Sequence, residues 1–88
     1  MKIKSINYTD EFRKQFRALP VEIKNKTYRL EKIFKVNPFH PSLRLHKLKG
    51  KLDGAWSISI DRKYRIIFTL MDNSVILFVS IGMHSIYE

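Results

Sequence analysis

The chain has 88 residues with 17 Lys and Arg against 8 Asp and Glu, a net charge of +9, and no cysteine. That length supports one small domain spanning 1–88, so binding and any chemistry must share a single core. The charge favours polyanionic partners such as nucleic acid or the ribosome. Without cysteine there is no disulfide framework, thiolate zinc site or thiol nucleophile. No apolar run approaches a membrane span and Met1–Ser5 lacks the apolar stretch of a signal peptide, so the expected location is the cytoplasm, away from any membrane.

Residues 2–8 alternate loosely around Ile3, Ile6 and Tyr8 and predict a short strand near a sheet edge. Thr9 and Asp10 offer a helix N-cap, and Phe12, Phe16 and Leu19 follow at helical spacing. Pro20 ends that helix and opens the next, in which Ile23, Thr27, Leu30 and Phe34 recur on one face while Lys24, Lys26, Arg29 and Lys32 decorate the rest. The segment 37–42 holds two prolines and reads as a loop. Strand signals follow at 43–48 (LRLHKL), around Trp56, Ile58 and Ile60, at 64–70 (YRIIFTL) and at 75–81 (VILFVSI). Turns are expected at Asp61–Lys63 and Asp72–Ser74, where Asp and Asn bond their own backbone or adopt left-handed geometry.

The order gives an α+β fold: an N-terminal strand, a helical hairpin, then an antiparallel sheet with the helices packed on one face and the other face free for function. The last strand is apolar on both sides and is expected in the sheet interior.

The β half gathers the basic side chains, with Arg44, Lys47, Lys49, Lys51, Arg62, Lys63 and Arg65 against only Asp53 and Asp61 within 40–65. Alternation in HKLKGK places His46 and Leu48 on one face and Lys47 and Lys49 on the other, a solubilising edge or a phosphate track. Arg65 interrupts an apolar strand, so its guanidinium needs solvent, a carboxylate such as that of Asp61, or a bound anion. His84 follows the last strand and can exchange a proton near neutral pH, whereas His40 sits between prolines as a loop residue. The histidines lack metal-ligand spacing and no acidic cluster could hold magnesium, so neither metal nor other cofactor is expected. Attack of an RNA 2′-hydroxyl on its adjacent phosphate needs a base, cationic stabilisation of the phosphorane and an acid for the leaving oxygen; Lys, Arg and His suffice.

The stretch HKLKGKLDGAWSISIDRKYRIIF, followed by SIGMHSIY, resembles the RelE/ParE superfamily of type II toxin–antitoxin toxins, in particular its RelE/YoeB/YafQ-like mRNA interferase branch. The resemblance runs through nearly the whole chain: a strand, a helical hairpin, an H-x-L-x-G turn, a tryptophan strand, a Y-R-I-I-F strand and a terminal G-x-H-x-x-Y. It implies a toxin that cleaves mRNA on the ribosome and is neutralised by a cognate antitoxin in a hetero-oligomeric complex. By position it implies catalytic roles for His46, Arg65 and His84, with Lys49 in the basic catalytic segment. Lys47, Lys51, Arg44, Arg62 and Lys63 would bind the RNA backbone, and Tyr87 would stack on a base or orient the substrate. Ser59, Lys63 and Ser85 depart from the histidine and aspartates of YafQ-like members, which favours a scheme built on Lys and Arg with His84. Two alternatives remain at this point: a ParE-like inhibitor of DNA gyrase without nuclease activity, and a non-catalytic basic nucleic-acid-binding module.

Overall fold

In the computed structural model, which describes residues 2–50 and 54–83, strand β1 (Ser5–Tyr8) leads directly into α1 (Asp10–Arg17) through a doubly bonded cap. The Thr9 hydroxyl accepts from the Phe12 N–H at 3.0 Å and donates to the Val79 carbonyl at 2.6 Å. It therefore starts the helix and ties it to the far end of the chain. Asp10 and Glu11 in the first turn and Lys14 and Arg17 towards the end complement the helix dipole. Helix α2 (Val21–Val36) begins at Pro20 and buries Ile23, Thr27, Leu30 and Phe34, the stripe that the spacing predicts.

The loop after α2 departs from the expected strand at 43–48. Pro41–Leu43 forms a single 3-10 turn, capped by His40, whose Nδ1 accepts from the Ser42 N–H at 3.1 Å. Leu43 is buried in the core, and Arg44 closes the turn in the left-handed region (φ 49°, ψ 51°). Strand pairing is confined to β2 (His46–Lys47), continued by the Leu48 N–H bond to the Ala55 carbonyl at 2.9 Å. Two prolines and a histidine cap bend the chain, and anchoring Leu43 outweighs the strand preference of the residues after it.

Strands β3 (Trp56–Ser59), β4 (Tyr64–Met71) and β5 (Val75–Met83) complete an antiparallel meander with β2. The spatial order is β1-β5-β4-β3-β2, and β1 runs parallel to β5, so the sheet is mixed. β1 is an edge strand and β5 an interior one, as the sequence predicts. β5 outruns β1, and α1 takes over where β1 stops. The register slips between Ile67 and Phe68, which pair with Ser80 and Phe78 and leave Val79 bulged with its carbonyl on Thr9. Beyond the bulge, the Gln15 side chain accepts from the Ile81 N–H at 2.8 Å, so α1 satisfies the strand's outer backbone.

Both helices lie on one face of the sheet. The core there joins Phe12, Leu30, Phe34 and Leu43 to Ile58, Ile66, Phe68, Ile76, Phe78 and Ile81. Phe34 and Phe78 are fully buried, with ring centroids 5.6 Å apart. The second face is not bare, because Leu48, Ala55 and Ile67 form a small buried cluster on it.

The β4–β5 turn adopts the left-handed geometry expected of Asp72–Ser74, with Asn73 and Ser74 both at φ 61°. Asn tolerates this region, but serine gains nothing from it. Ser74→Gly is therefore expected to raise stability by about 0.5–1 kcal/mol in urea unfolding, whereas Ser74→Val should lower it by at least as much.

Candidate nucleic-acid interface

Antiparallel partners lie side by side on one face of a sheet, so the pairing register assigns the surface. His46 pairs with Ser57, Ser57 with Ile67 and Ile67 with Ser80. The next row along the second face is Ser59, Arg65 and Gly82. His46 and Arg65 thus share the face without helices. They lie two strands apart, roughly 10 Å across the sheet, and two residues apart along it. On β3, between them, stand the small side chains of Ser57 and Ser59, both buried.

Arg65 is half-buried and held by one nitrogen of its guanidinium. Its Nη1 donates to the Asp61 carbonyl at 2.8 Å rather than pairing with the Asp61 carboxylate. Among the described residues no carboxylate forms an ion pair with it. The guanidinium keeps its charge and most of its donors while one bond fixes its direction, the arrangement that suits an incoming phosphate.

The Asp61 carboxylate is engaged elsewhere. One oxygen accepts the backbone N–H groups of Lys63 and Tyr64 at 2.8 and 2.9 Å, and the other lies 3.4 Å from Lys26 Nζ. Burial works against ionisation, but the two backbone donors and Lys26 outweigh it and hold the Asp61 pKa below the ordinary aspartate value. A side chain fixed in this way locks the β3–β4 turn and leaves Arg62 and Lys63 exposed at the end of the sheet that carries Arg65.

The remaining basic residues divide. Arg44 is exposed just before β2, and its left-handed backbone bonds Pro41. Lys47 pairs with Trp56 and so points to the opposite face from His46, its Nζ lying 5.8 Å from the indole centroid. Lys49 is exposed beyond Lys47, away from the Arg65 end. The fold therefore gathers Arg65, His46, Arg62 and Lys63 on or beside one face and sets Lys47 and Lys49 apart from them. Lys51, His84 and Tyr87 lie outside the described residues. Among the described residues, no group of three His, Asp or Glu could hold a metal ion, and no helix is long and apolar enough to cross a membrane.

A cleft of about 460 Å³ lies elsewhere, between α1 and α2. Tyr8, Phe12, Phe16 and Tyr28 line it, with Arg13 and Arg17 also on its wall. Glu31 accepts the Tyr8 hydroxyl at 2.8 Å, and burial together with that carboxylate raises the phenol pKa. Such an aromatic groove suits apolar side chains rather than a phosphate chain.

The family described as RelE-like toxin of type II toxin–antitoxin system HigB matches residues 5–84. The chain belongs to this family of toxins. Among solved structures, the toxin is similar to YafQ from E. coli strain BL21(DE3), at 20% identity and TM-score 0.76 over 91% of this chain and 92% of that one. A YoeB/ParE toxin from Agrobacterium tumefaciens gives 19% identity and TM-score 0.75 over 96% and 99%. The toxin–antitoxin complex RelBE2 from Mycobacterium tuberculosis gives 17% identity and TM-score 0.72 over 97% and 95%. At these identities the likeness concerns the fold. A search among curated proteins finds no significant match.

Sequence reasoning singled out Arg65 as a charge within an apolar strand. It did not find Lys26 and Arg29 as more than helix surface, but it did expect Asp61 to close the turn by bonding its own backbone. The signal for Asp61 was present in Asp61-Arg62-Lys63-Tyr64, where an aspartate two and three residues ahead of free N–H groups closes a turn on itself.

Proposed function

We propose that this toxin is a metal-independent endoribonuclease that acts as one domain of residues 1–88 on mRNA, in the ribosomal decoding site of a bacterial cytoplasm. The observation that carries this reading is Arg65: a half-buried arginine on the helix-free face, oriented by a main-chain carbonyl and left without a carboxylate among the described residues. In the proposed reaction an RNA 2′-oxygen attacks the adjacent phosphorus and the P–O5′ bond breaks. Arg65 neutralises the charge that grows on the phosphorane oxygens, His46 on the same face removes the 2′-proton, and His84 protonates the departing 5′-oxygen, while Lys49, which the register sets away from Arg65, grips a more distant phosphate. Arg62 and Lys63 bind the phosphates next to the cut bond, Arg44, Lys47 and Lys51 bind more distant ones, and Tyr87 stacks on a base. The partner that silences the toxin is a cognate antitoxin. YafQ has been solved in complex with DinJ, and RelBE2 is itself a toxin–antitoxin complex. An acidic antitoxin complements the net +9 of this chain, and the groove between α1 and α2 suits the apolar side of a partner helix.

Primer extension and single-turnover cleavage of mRNA, with and without ribosomes, test the reading. Cleavage by the wild type should persist in EDTA on a ribosome-free RNA substrate, and should fall on the order of 100-fold in His84→Gln with RNA affinity nearly intact. An intact, folded wild type that cuts no RNA and instead inhibits DNA gyrase would overturn it.

A further inference from the structure

A second basic cleft lies on the helix-bearing side of the sheet, at the end that carries the β3–β4 turn. It measures about 180 Å³ and opens between α2 and the 3-10 turn, with Lys26, Arg29, Leu30, Ser42, Leu43 and Ile60 on its wall. Leu30 and Leu43 belong to the buried core, so the floor is apolar and rigid. Lys26 and Arg29 stand three residues apart on α2, a spacing that turns both side chains to one face of the helix.

Neither cation is strongly engaged. Arg29 is exposed and forms no ion pair among the described residues. Lys26 lies 3.4 Å from Asp61 with 43% of its side chain exposed, a geometry that contributes little. The Asp61 carboxylate already holds two backbone N–H groups on its other oxygen, so Lys26 can turn to another anion without unmaking the turn. Asp61 also connects this cleft to the face described above, because its carbonyl orients Arg65. With Arg62 and Lys63 exposed on the turn between them, cations run from one face of the sheet around its end to the other.

We propose that this cleft is a phosphate subsite that holds a backbone phosphate of the RNA strand away from the bond that is cut, with Arg29 and Lys26 as the gripping cations and the apolar floor under the ribose. The proposal rests on the ribonuclease reading for the purpose of the strand, but not for its binding.

The test uses a short 2′-O-methyl RNA, which binds but lacks the attacking hydroxyl, and follows the Arg29 Nε–Hε resonance of the full chain by NMR. The expected result is a saturable shift of that resonance. Arg29→Ala should weaken oligonucleotide binding about 3- to 10-fold and lower the slope of log K against log salt by about 0.7, the release expected for one phosphate contact on a single strand. Asp61→Asn keeps the oxygen that accepts the turn N–H groups but removes the competing charge, so it should bind about twofold more tightly. An unshifted Arg29 resonance, or an Arg29→Ala variant with wild-type affinity and salt slope, overturns the subsite. Inorganic phosphate that binds there as tightly as the oligonucleotide overturns its assignment to the strand. A wild type that binds through Arg29 yet never cuts natural RNA would cost the ribonuclease reading and leave the subsite standing.

Discussion

Arg65→Ala is expected to slow single-turnover cleavage of ribosome-bound mRNA by about 100-fold or more, as deletion of one well-placed donor to a developing oxyanion does elsewhere. Affinity for the mRNA–ribosome complex should change far less, since Arg62 and Lys63 remain on the same end of the sheet. The separation of rate from affinity is the informative part, because a residue that only bound substrate would lower both. Arg65→Lys should recover only part of the rate: a lysine keeps the charge but cannot at once bond the Asp61 carbonyl and present a fork of donors. Circular dichroism and urea unfolding should find both variants folded, with at most about 1 kcal/mol lost with the bond to Asp61. A folded Arg65→Ala toxin that cuts at the wild-type rate would remove the central element of the proposed mechanism.

Phe78→Ala is expected to cost about 3–5 kcal/mol in urea unfolding. The ring is fully buried and meets Tyr8, Phe12, Phe34 and Phe68 with centroids 5.5–6.3 Å away. Its strand is fixed on both sides by β1 and β4, which limits how far the cavity can collapse. For a domain of this size such a loss is a large fraction of the total, typically about 5–15 kcal/mol. The control is Phe39→Ala, at 60% exposure, which should stay within about 0.5 kcal/mol of the wild type. An unfolding midpoint for Phe78→Ala close to that of Phe39→Ala would contradict the assignment of this ring as the centre of the core.

The parts of the fold that were legible in the sequence are those whose signal is periodic. Ile23, Thr27, Leu30 and Phe34 repeat at helical spacing and are the buried face of α2. Strand β4 was readable in the same way, and Arg65 stood out because it breaks an apolar run. The region after α2 was not readable by alternation, since a 3-10 turn capped by His40 and closed by a left-handed Arg44 interrupts the chain before β2. The parallel pairing of β1 with β5 was also hidden: a period of two says that a strand has faces, not which neighbour it will find. At the candidate site, Arg65 and His46 were legible from residue type and are now joined on one face by register. Lys26 and Arg29 were not, because cations on a helix read as a solvated surface until a neighbouring turn walls them in.

The pairing of the first strand with the last sets the order in which this toxin can assemble. Every bond that secures the β1–α1 corner to the sheet reaches far along the chain: Ser5 aligns with Val75, the Thr9 hydroxyl bonds Val79 and Gln15 holds Ile81. The β2–β5 meander can form from contacts between sequence neighbours, whereas the N-terminal corner must wait for β5 to exist. During synthesis the N-terminal strand and α1 therefore leave the ribosome about sixty or more residues before their partners, and the closing of that loop is the slow, non-local step of folding. A nascent chain held before β5 would carry the Arg65 strand without the corner that completes the fold, so the toxin gains its finished surface only once β5 has been made.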